Sequence, residues 1–250
     1  MNEIVKYHNY INSLKFTGFT VTDFNFLIML CSRMRDKDVN RVTFNFMELR
    51  ELTNYKKSNS VNQFVTDLKK MNEKLMNVTC SLETESEVIM FVLFPTFIIN
   101  KNEQTLTVSV NEKFKFILNE LIKNFTRFDL KEFVTLESKY SKSLYRLLKQ
   151  YRTTGKYEIT VNDLKTKMDC PKSYNNKQFM QNIINPAVNS LQNCVHAGAG
   201  PAQTIMKTAA KFQYISFPVS STVSIVYWKY RSQYTTKHVI KPGDPEPAKL

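Results

Sequence analysis

The chain has 250 residues, 42% hydrophobic and 23% charged, enough for one or two buried cores in a soluble globular protein. Thirty-five Lys and Arg against 22 Asp and Glu leave a formal charge of +13, which favours a polyanionic partner, nucleic acid before membrane. No apolar run approaches the roughly 18–20 residues that span a bilayer, and MNEIVKYHNY has no cationic segment leading into an apolar one, so no secretory signal is expected and the expected location is cytoplasmic.

Residues 4–14 alternate loosely and read as a lead-in strand or short helix ending near Gly18. Thr20 or Thr22 caps a helix to about Arg35, with Phe24, Leu27, Ile28, Leu30 and Cys31 on its apolar side and Arg33, Arg35 and Lys37 at its C-terminal dipole end. Residues 41–44 are a short strand by their Val-Thr-Phe content. Asn45 caps a helix carrying Met47, Leu49 and Leu52 that runs out at Thr53-Asn54. After a basic turn at 56–60, Val61, Phe64, Leu68, Met71 and Leu75 keep a helical period to Asn77. Residues 78–82 and 88–99 predict a hairpin whose second strand, nearly all apolar, is well covered; 105–110 is a third strand. Residues 112–125 (Phe114, Ile117, Leu118, Leu121, Ile122) predict a connecting helix, and the polar stretch 126–129 a domain boundary.

The helix at 136–152 carries two stripes. Leu136, Tyr140, Leu144, Leu147, Leu148 and Tyr151 make an apolar face, while Lys139, Lys142, Arg146 and Lys149 follow the same period on another. Gly155 closes it; a β-branched strand at 157–161 and a helix capped by Asn162 with Leu164 and Met168 follow. Cys170-Pro171 breaks that helix, and after a polar turn at 172–176 a third helix starts near Asn176 and runs toward Gln192. Residues 20–110 and 136–192 thus share the order helix, strand, helix, turn, helix, the order of a winged helix-turn-helix. The expected fold class is α+β, two tandem winged-helix domains: 1–125 with the connecting helix, 126–232, and a tail at 233–250 whose three prolines and lack of apolar period predict disorder. Residues 211–218 and 223–230 read as strands of the second wing. All seven alanines fall after residue 186, so the composition changes there.

The segment LESKYSKSLYRLLKQYRTTGKYEITVNDLKTKM (136–168), with QFMQNIINPAVNSLQN (178–193), resembles the iteron-binding initiators of theta-replicating plasmids, the Rep proteins. VKYHNYINSL and FNFMELRELTNY are similar to that family's first domain, and the likeness covers about residues 3–193; beyond Asn193 the chain departs from the family's pattern. The resemblance implies two winged-helix domains that bind direct repeats at an origin as monomers and repress their own promoter as a homodimer. It also implies that the protein helps open the origin and recruits the host replication initiator and helicase, in a plasmid-bearing bacterium.

A recognition helix presents base-reading side chains from its N-terminal half while Lys, Arg and backbone amides hold phosphates. The second-module candidates are Lys172, Ser173, Tyr174, Asn176, Lys177, Gln178 and Gln181; the bland alternative is a solvated helix start capped by Ser173 or Asn175. The first-module equivalents are Lys56, Lys57, Ser58, Asn59, Ser60, Asn62 and Gln63, where the alternative is a first domain devoted partly to dimerisation. Lys139, Lys142, Arg146, Lys149 and Arg152 would grip phosphates, giving a salt slope of roughly −4 to −5 for about five contacts. A solvated cationic face is the competing view, and Tyr140 and Tyr151 are expected in the core.

Enzyme signatures are absent from the sequence. His8, His196 and His238 are isolated, so the metal pair of a nicking relaxase is missing, and no GxxxxGK[ST], GxSxG or HExxH occurs. Cys31, Cys80, Cys170 and Cys194 are far apart and read as free thiols. No catalytic residue, metal or cofactor is expected. The expected function is initiation of plasmid replication at repeated origin sites, or alternatively transcriptional repression by a dimer on an inverted repeat.

Overall fold

The computed structural model describes residues 3–37, 40–78, 80–83, 85–119, 121–154, 156–196 and 222–226. Strand β1 (Ile4–His8) and the single turn α1 (Tyr10–Ser13) share the lead-in segment, so it holds both a strand and a helix. Helix α2 (Val21–Arg33) starts at Thr20, whose hydroxyl accepts from Asp23 N while the Asp23 carboxylate accepts from Thr20 N. Every side chain from Asp23 to Ser32 is buried, because α2 is covered on more than one side.

Strand β2 (Val42–Asn45), α3 (Phe46–Leu52) and α4 (Val61–Met76) follow, capped by Asn45 and Ser60 for the two helices. Leu49 is buried and Leu52 packs against the core as expected, but Met47 is 77% exposed and Phe46 takes its place in the core. The single apolar run at 88–99 divides at Leu93-Phe94-Pro95 into two strands in different sheets. β3 (Cys80–Glu83) pairs with β4 (Val88–Phe91), while β5 (Thr96–Asn100) pairs with β6 (Thr105–Ser109), which also pairs with β2. The expected cover is missing on β4: Val88 and Met90 are 64% and 67% exposed.

The expected connecting helix is a short 3-10 turn, Glu112–Ile117. The polar boundary stretch lies within β7 (Phe125–Asp129), which pairs antiparallel with β1 along its full length. Thr126 and Phe128 alternate inward there, and Thr126 Oγ1 donates to Asn9 Oδ1 at 2.8 Å. The 125/126 boundary therefore cuts a two-stranded sheet rather than a linker. Helix α5 (Leu130–Thr135), capped by the Asp129 carboxylate, packs on α2.

Helix α6 (Lys139–Gln150), strand β8 (Lys156–Thr160), α7 (Val161–Lys167) and a long third helix make the second module. Thr160, not Asn162, caps α7 and accepts from Asp163 N. The third helix runs as α8 (Asn176–Phe179), a π turn (Met180–Ile184) and α9 (Asn185–His196). The π turn ends two residues before Pro186, which lacks an N–H and would meet the carbonyl four residues back; Asn185 N bonds Met180 O. β9 (Thr222–Val226) pairs antiparallel with β8. The strand expected at 211–218 and the tail 233–250 lie outside the described residues. One apolar core extends from Val5 through α2 and α6 to Leu191.

Candidate nucleic-acid interface

The turn and helix of each module are built alike. Asn45 and Thr160 cap the second helices; Asn54 and Asp169 follow those helices with φ of 50° and 51°; Ser60 and Asn175 cap the third. These pairs share one constant spacing, and at that spacing Lys57-Ser58 aligns with Lys172-Ser173, Phe64 with Phe179 and Gln63 with Gln178. The modules thus share residue identities at the turn and the start of the third helix, and the matching cap positions supply the alignment that brings them out.

In each module a cation on the second helix closes the turn. Arg50 donates to the Ser58 and Ser60 carbonyls at 2.6 and 3.0 Å and lies 4.4 Å from the centre of the Phe64 ring. Lys165 donates to the Tyr174 carbonyl at 3.0 Å and lies 5.9 Å from the Phe179 ring. Sequence reading missed both, although each sits in the last turn of its helix, at matching positions.

Among the first-module candidates, Lys56, Lys57, Asn59, Ser60, Asn62 and Gln63 are exposed and Ser58 is half-buried. Lys57, Ser58, Ser60, Asn62, Gln63 and Thr66 line one open concavity of about 600 Å³. Beneath it is Asp67, a buried carboxylate that accepts from Tyr55 Oη at 2.8 Å, Gln63 Nε2 at 3.2 Å and Lys57 Nζ at 3.4 Å. Burial, then the bond to Asp67, pushes the Tyr55 phenol up to about 12, so Tyr55 stays a donor at neutral pH. Thr66, Lys69 and Lys70 continue the exposed face of α4.

In the second module Lys172, Ser173, Asn176, Lys177, Gln178 and Gln181 are exposed and Tyr174 half-buried. Asn175 is the cap: its Oδ1 accepts from Gln178 N at 2.9 Å, and Gln178 Oε1 accepts from Asn175 N at 3.0 Å. Asn182 and Asn185, on the same exposed side, extend the polar stripe. They were missed in the sequence, though their three- and four-residue steps from Gln178 and Gln181 are the signal that finds them.

The cationic stripe of α6 has a different place. Lys142 is fully buried, donating to the Phe133 carbonyl. Arg146, 3% exposed, has its guanidinium 4.9 and 5.0 Å from the Phe16 and Phe24 rings, and the Tyr7 hydroxyl accepts from it. Its Nε and Nη1 have no partner among the described residues, and burial lowers its pKa. Lys139 pairs with Asp169 at 3.1 Å, Lys149 with Glu132 at 3.2 Å, and Arg152 donates to the Arg127 carbonyl. Lys142 and Arg146 do not grip phosphates: they point into the contact with α2 and α5, while Lys139, Lys149 and Arg152 are half-buried. Period alone could not separate a helix face in water from one turned toward another module. Tyr140 and Tyr151 are packed against the core as expected, Tyr151 stacking on Tyr157 at 4.3 Å.

The profile of "Initiator Replication protein, WH1" matches residues 4–149, more than half of the chain, and that of "Initiator Rep protein, WH2" matches residues 160–195. The chain belongs to the initiator replication protein family. The WH1 match of this initiator family member includes β7, α5 and α6, in keeping with the β1–β7 pairing. A curated relative, "Probable replication protein rep" of Bifidobacterium longum (strain NCC 2705), is 37% identical over 172 residues. That match takes in 69% of this chain and spans 58% of the relative's length. A solved structure of Pi initiator protein in complex with iteron DNA superposes with a TM-score of 0.64 over 91% of this chain and 98% of that one. At 15% identity the likeness is one of fold. Among the described residues no helix is long and apolar enough to cross a membrane, and no three His, Cys, Asp or Glu converge as metal ligands.

Proposed function

We propose that this chain is a plasmid replication initiator that binds repeated double-stranded sites at an origin, without catalysing a reaction of its own. The observation that carries this reading is the repeated Lys-Ser turn and capped polar helix in both modules of an initiator family fold. In each, exposed Lys57 or Lys172 lies beside a helix start bearing exposed amides, the composition that grips phosphates and reads base edges in a major groove. Two such units on one polypeptide read a longer site than either alone, which suits direct repeats filled by one protein each.

The fuller account includes a homodimer that represses the promoter, recruitment of the host replication initiator and helicase, and action in the bacterial cytoplasm. The exposed Val88 and Met90 on the two-stranded β3–β4 sheet are the apolar surface that a second copy would cover. The experiment is replication in trans: a plasmid carrying only the DNA that flanks the gene is supplied with this protein from a second replicon. Stable maintenance that depends on Lys57, Lys172 and Lys177 supports an initiator. Repression of a promoter reporter without plasmid maintenance would support the repressor instead.

A further inference from the structure

Gln63 and Gln178 hold the same position, third in their helices after the caps Ser60 and Asn175, yet their carboxamides are held in opposite senses. Gln178 uses Oε1 to accept from Asn175 N, so its free end is the Nε2 donor. Gln63 uses Nε2 to donate to Asp67 Oδ1 at 3.2 Å, and no described residue donates to its Oε1. An ionised carboxylate only accepts hydrogen bonds, so the amide cannot turn its oxygen toward Asp67 without losing the bond and placing oxygen against oxygen. Asp67 is itself fixed. It is buried, it takes the Tyr55 hydroxyl at 2.8 Å on its other oxygen, and Lys57 stands over that oxygen at 3.4 Å. Asn182, at the matching place in the second module, is exposed and imposes no such restriction.

We propose that Asp67 is a specificity-determining positioning residue, which orients Gln63 so that its carbonyl oxygen, rather than its amide nitrogen, leads toward the DNA. An outward acceptor pairs with a major-groove amino group, and the second Nε2 hydrogen remains for an adjacent ring nitrogen. Adenine offers that amino group and N7 together, and cytosine offers the amino group alone. The first module therefore selects an amino-bearing base, adenine foremost, at one position. Gln178, with its donor outward, is matched to an acceptor such as the oxygen of guanine or thymine. The two modules share a framework and read different base edges, because Asp67 holds Gln63 by its nitrogen while the Asn175 amide holds Gln178 by its oxygen.

This inference rests on α4 being the first module's recognition helix, and the test separates the two. Full-length protein and its variants are used to select binding sites from a randomised duplex library, with Kd then measured on the selected duplex and its single-base variants. Gln63→Ala is expected to weaken discrimination at one base pair about tenfold. Asp67→Asn, whose side chain both donates and accepts, is expected to weaken it at the same base pair about fivefold with the salt slope unchanged. Gln63→Glu gives up the bond to Asp67 but can only accept, so it is expected to retain the parent's preference for an amino-bearing base, whereas a parent amide leading with its nitrogen would lose its preference in this variant. If Gln63→Ala relaxes a position that Asp67→Asn leaves intact, or if the parent selects an acceptor-bearing base there and Gln63→Glu switches the choice to an amino-bearing one, the role of Asp67 is overturned while α4 keeps its place. If Gln63→Ala and Lys57→Ala alter no position, α4 does not read DNA and the inference goes with it.

Discussion

Lys142 donates from its ammonium to the Phe133 carbonyl oxygen at 2.5 Å and stands 4.4 Å from the centre of the Phe133 ring. A residue that looked like a phosphate contact thus ties α6 to α5 in the interior. Lys142→Met keeps the length of the stem and removes the charged donor, leaving the carbonyl without that bond. The expected loss is about 2 kcal/mol of folding stability, read by urea denaturation. The salt dependence of DNA binding should not change, whereas a phosphate contact would lower the slope by about 1.

Arg146 separates packing from charge. Its stem and guanidinium fill the space between Phe16, Phe24 and Tyr7, without a carboxylate partner among the described residues. Arg146→Ala should cost about 3 kcal/mol through the lost volume. Arg146→Met should stay within about 1 kcal/mol of the parent, because an apolar chain of similar length needs no desolvated charge. Thermal melts of the two variants compare directly.

Stability should fall at alkaline pH. Burial pushes the thiols of Cys31 and Cys80 up from 9.0 to about 12, and burial also raises Tyr7. A group whose folded pKa lies above its unfolded value contributes fully below the unfolded pKa. For these thiols the contribution is complete below pH 9 and is lost as pH rises toward 12. Denaturation midpoints between those limits should decline, and Cys31→Ala with Cys80→Ala should flatten the decline.

Asn175 and Gln178 form a reciprocal cap, so Asn175→Ala should cost about 1 kcal/mol. Gln178→Glu preserves the accepting oxygen and should leave the melting temperature close to the parent's. It also exchanges an outward donor for a second oxygen beside phosphates, so it should weaken DNA binding. Calorimetry and a titration on the same samples separate the two effects.

The helical periods of Phe64, Leu68, Met71 and Leu75, and of Leu144, Leu147 and Leu148, were legible because each stripe meets one neighbour and repeats over several turns. The module order followed from them. Lys142 and Arg146 were misread since a charged residue at a helical step looks the same whether it faces water or another module's rings. Thr126 to Asp129 reads as a polar boundary because Thr126, though fully buried, is a polar residue satisfied by Asn9 and Asn12. The β4 and β5 strands merged because apolar identity outweighed the break at Pro95. At the interface, the turns at 56–60 and 172–176 were legible from their Lys, Ser and Asn content. Asp67 was not, since its role comes from a side chain one turn along the helix and a tyrosine twelve residues back.

If the two modules together read repeated DNA, a gel shift with the DNA flanking the gene shows it. Titration is carried out at several salt concentrations against unrelated competitor. A ladder of discrete complexes that survives competitor, one per direct repeat, is the expected result. With Lys56, Lys57, Lys172 and Lys177 as the exposed cations at the two turns, neutralisation of about four phosphates gives a slope of log K against log salt of roughly −3 to −4. A single complex confined to an inverted repeat, or binding that competitor erases at moderate salt, would contradict the account.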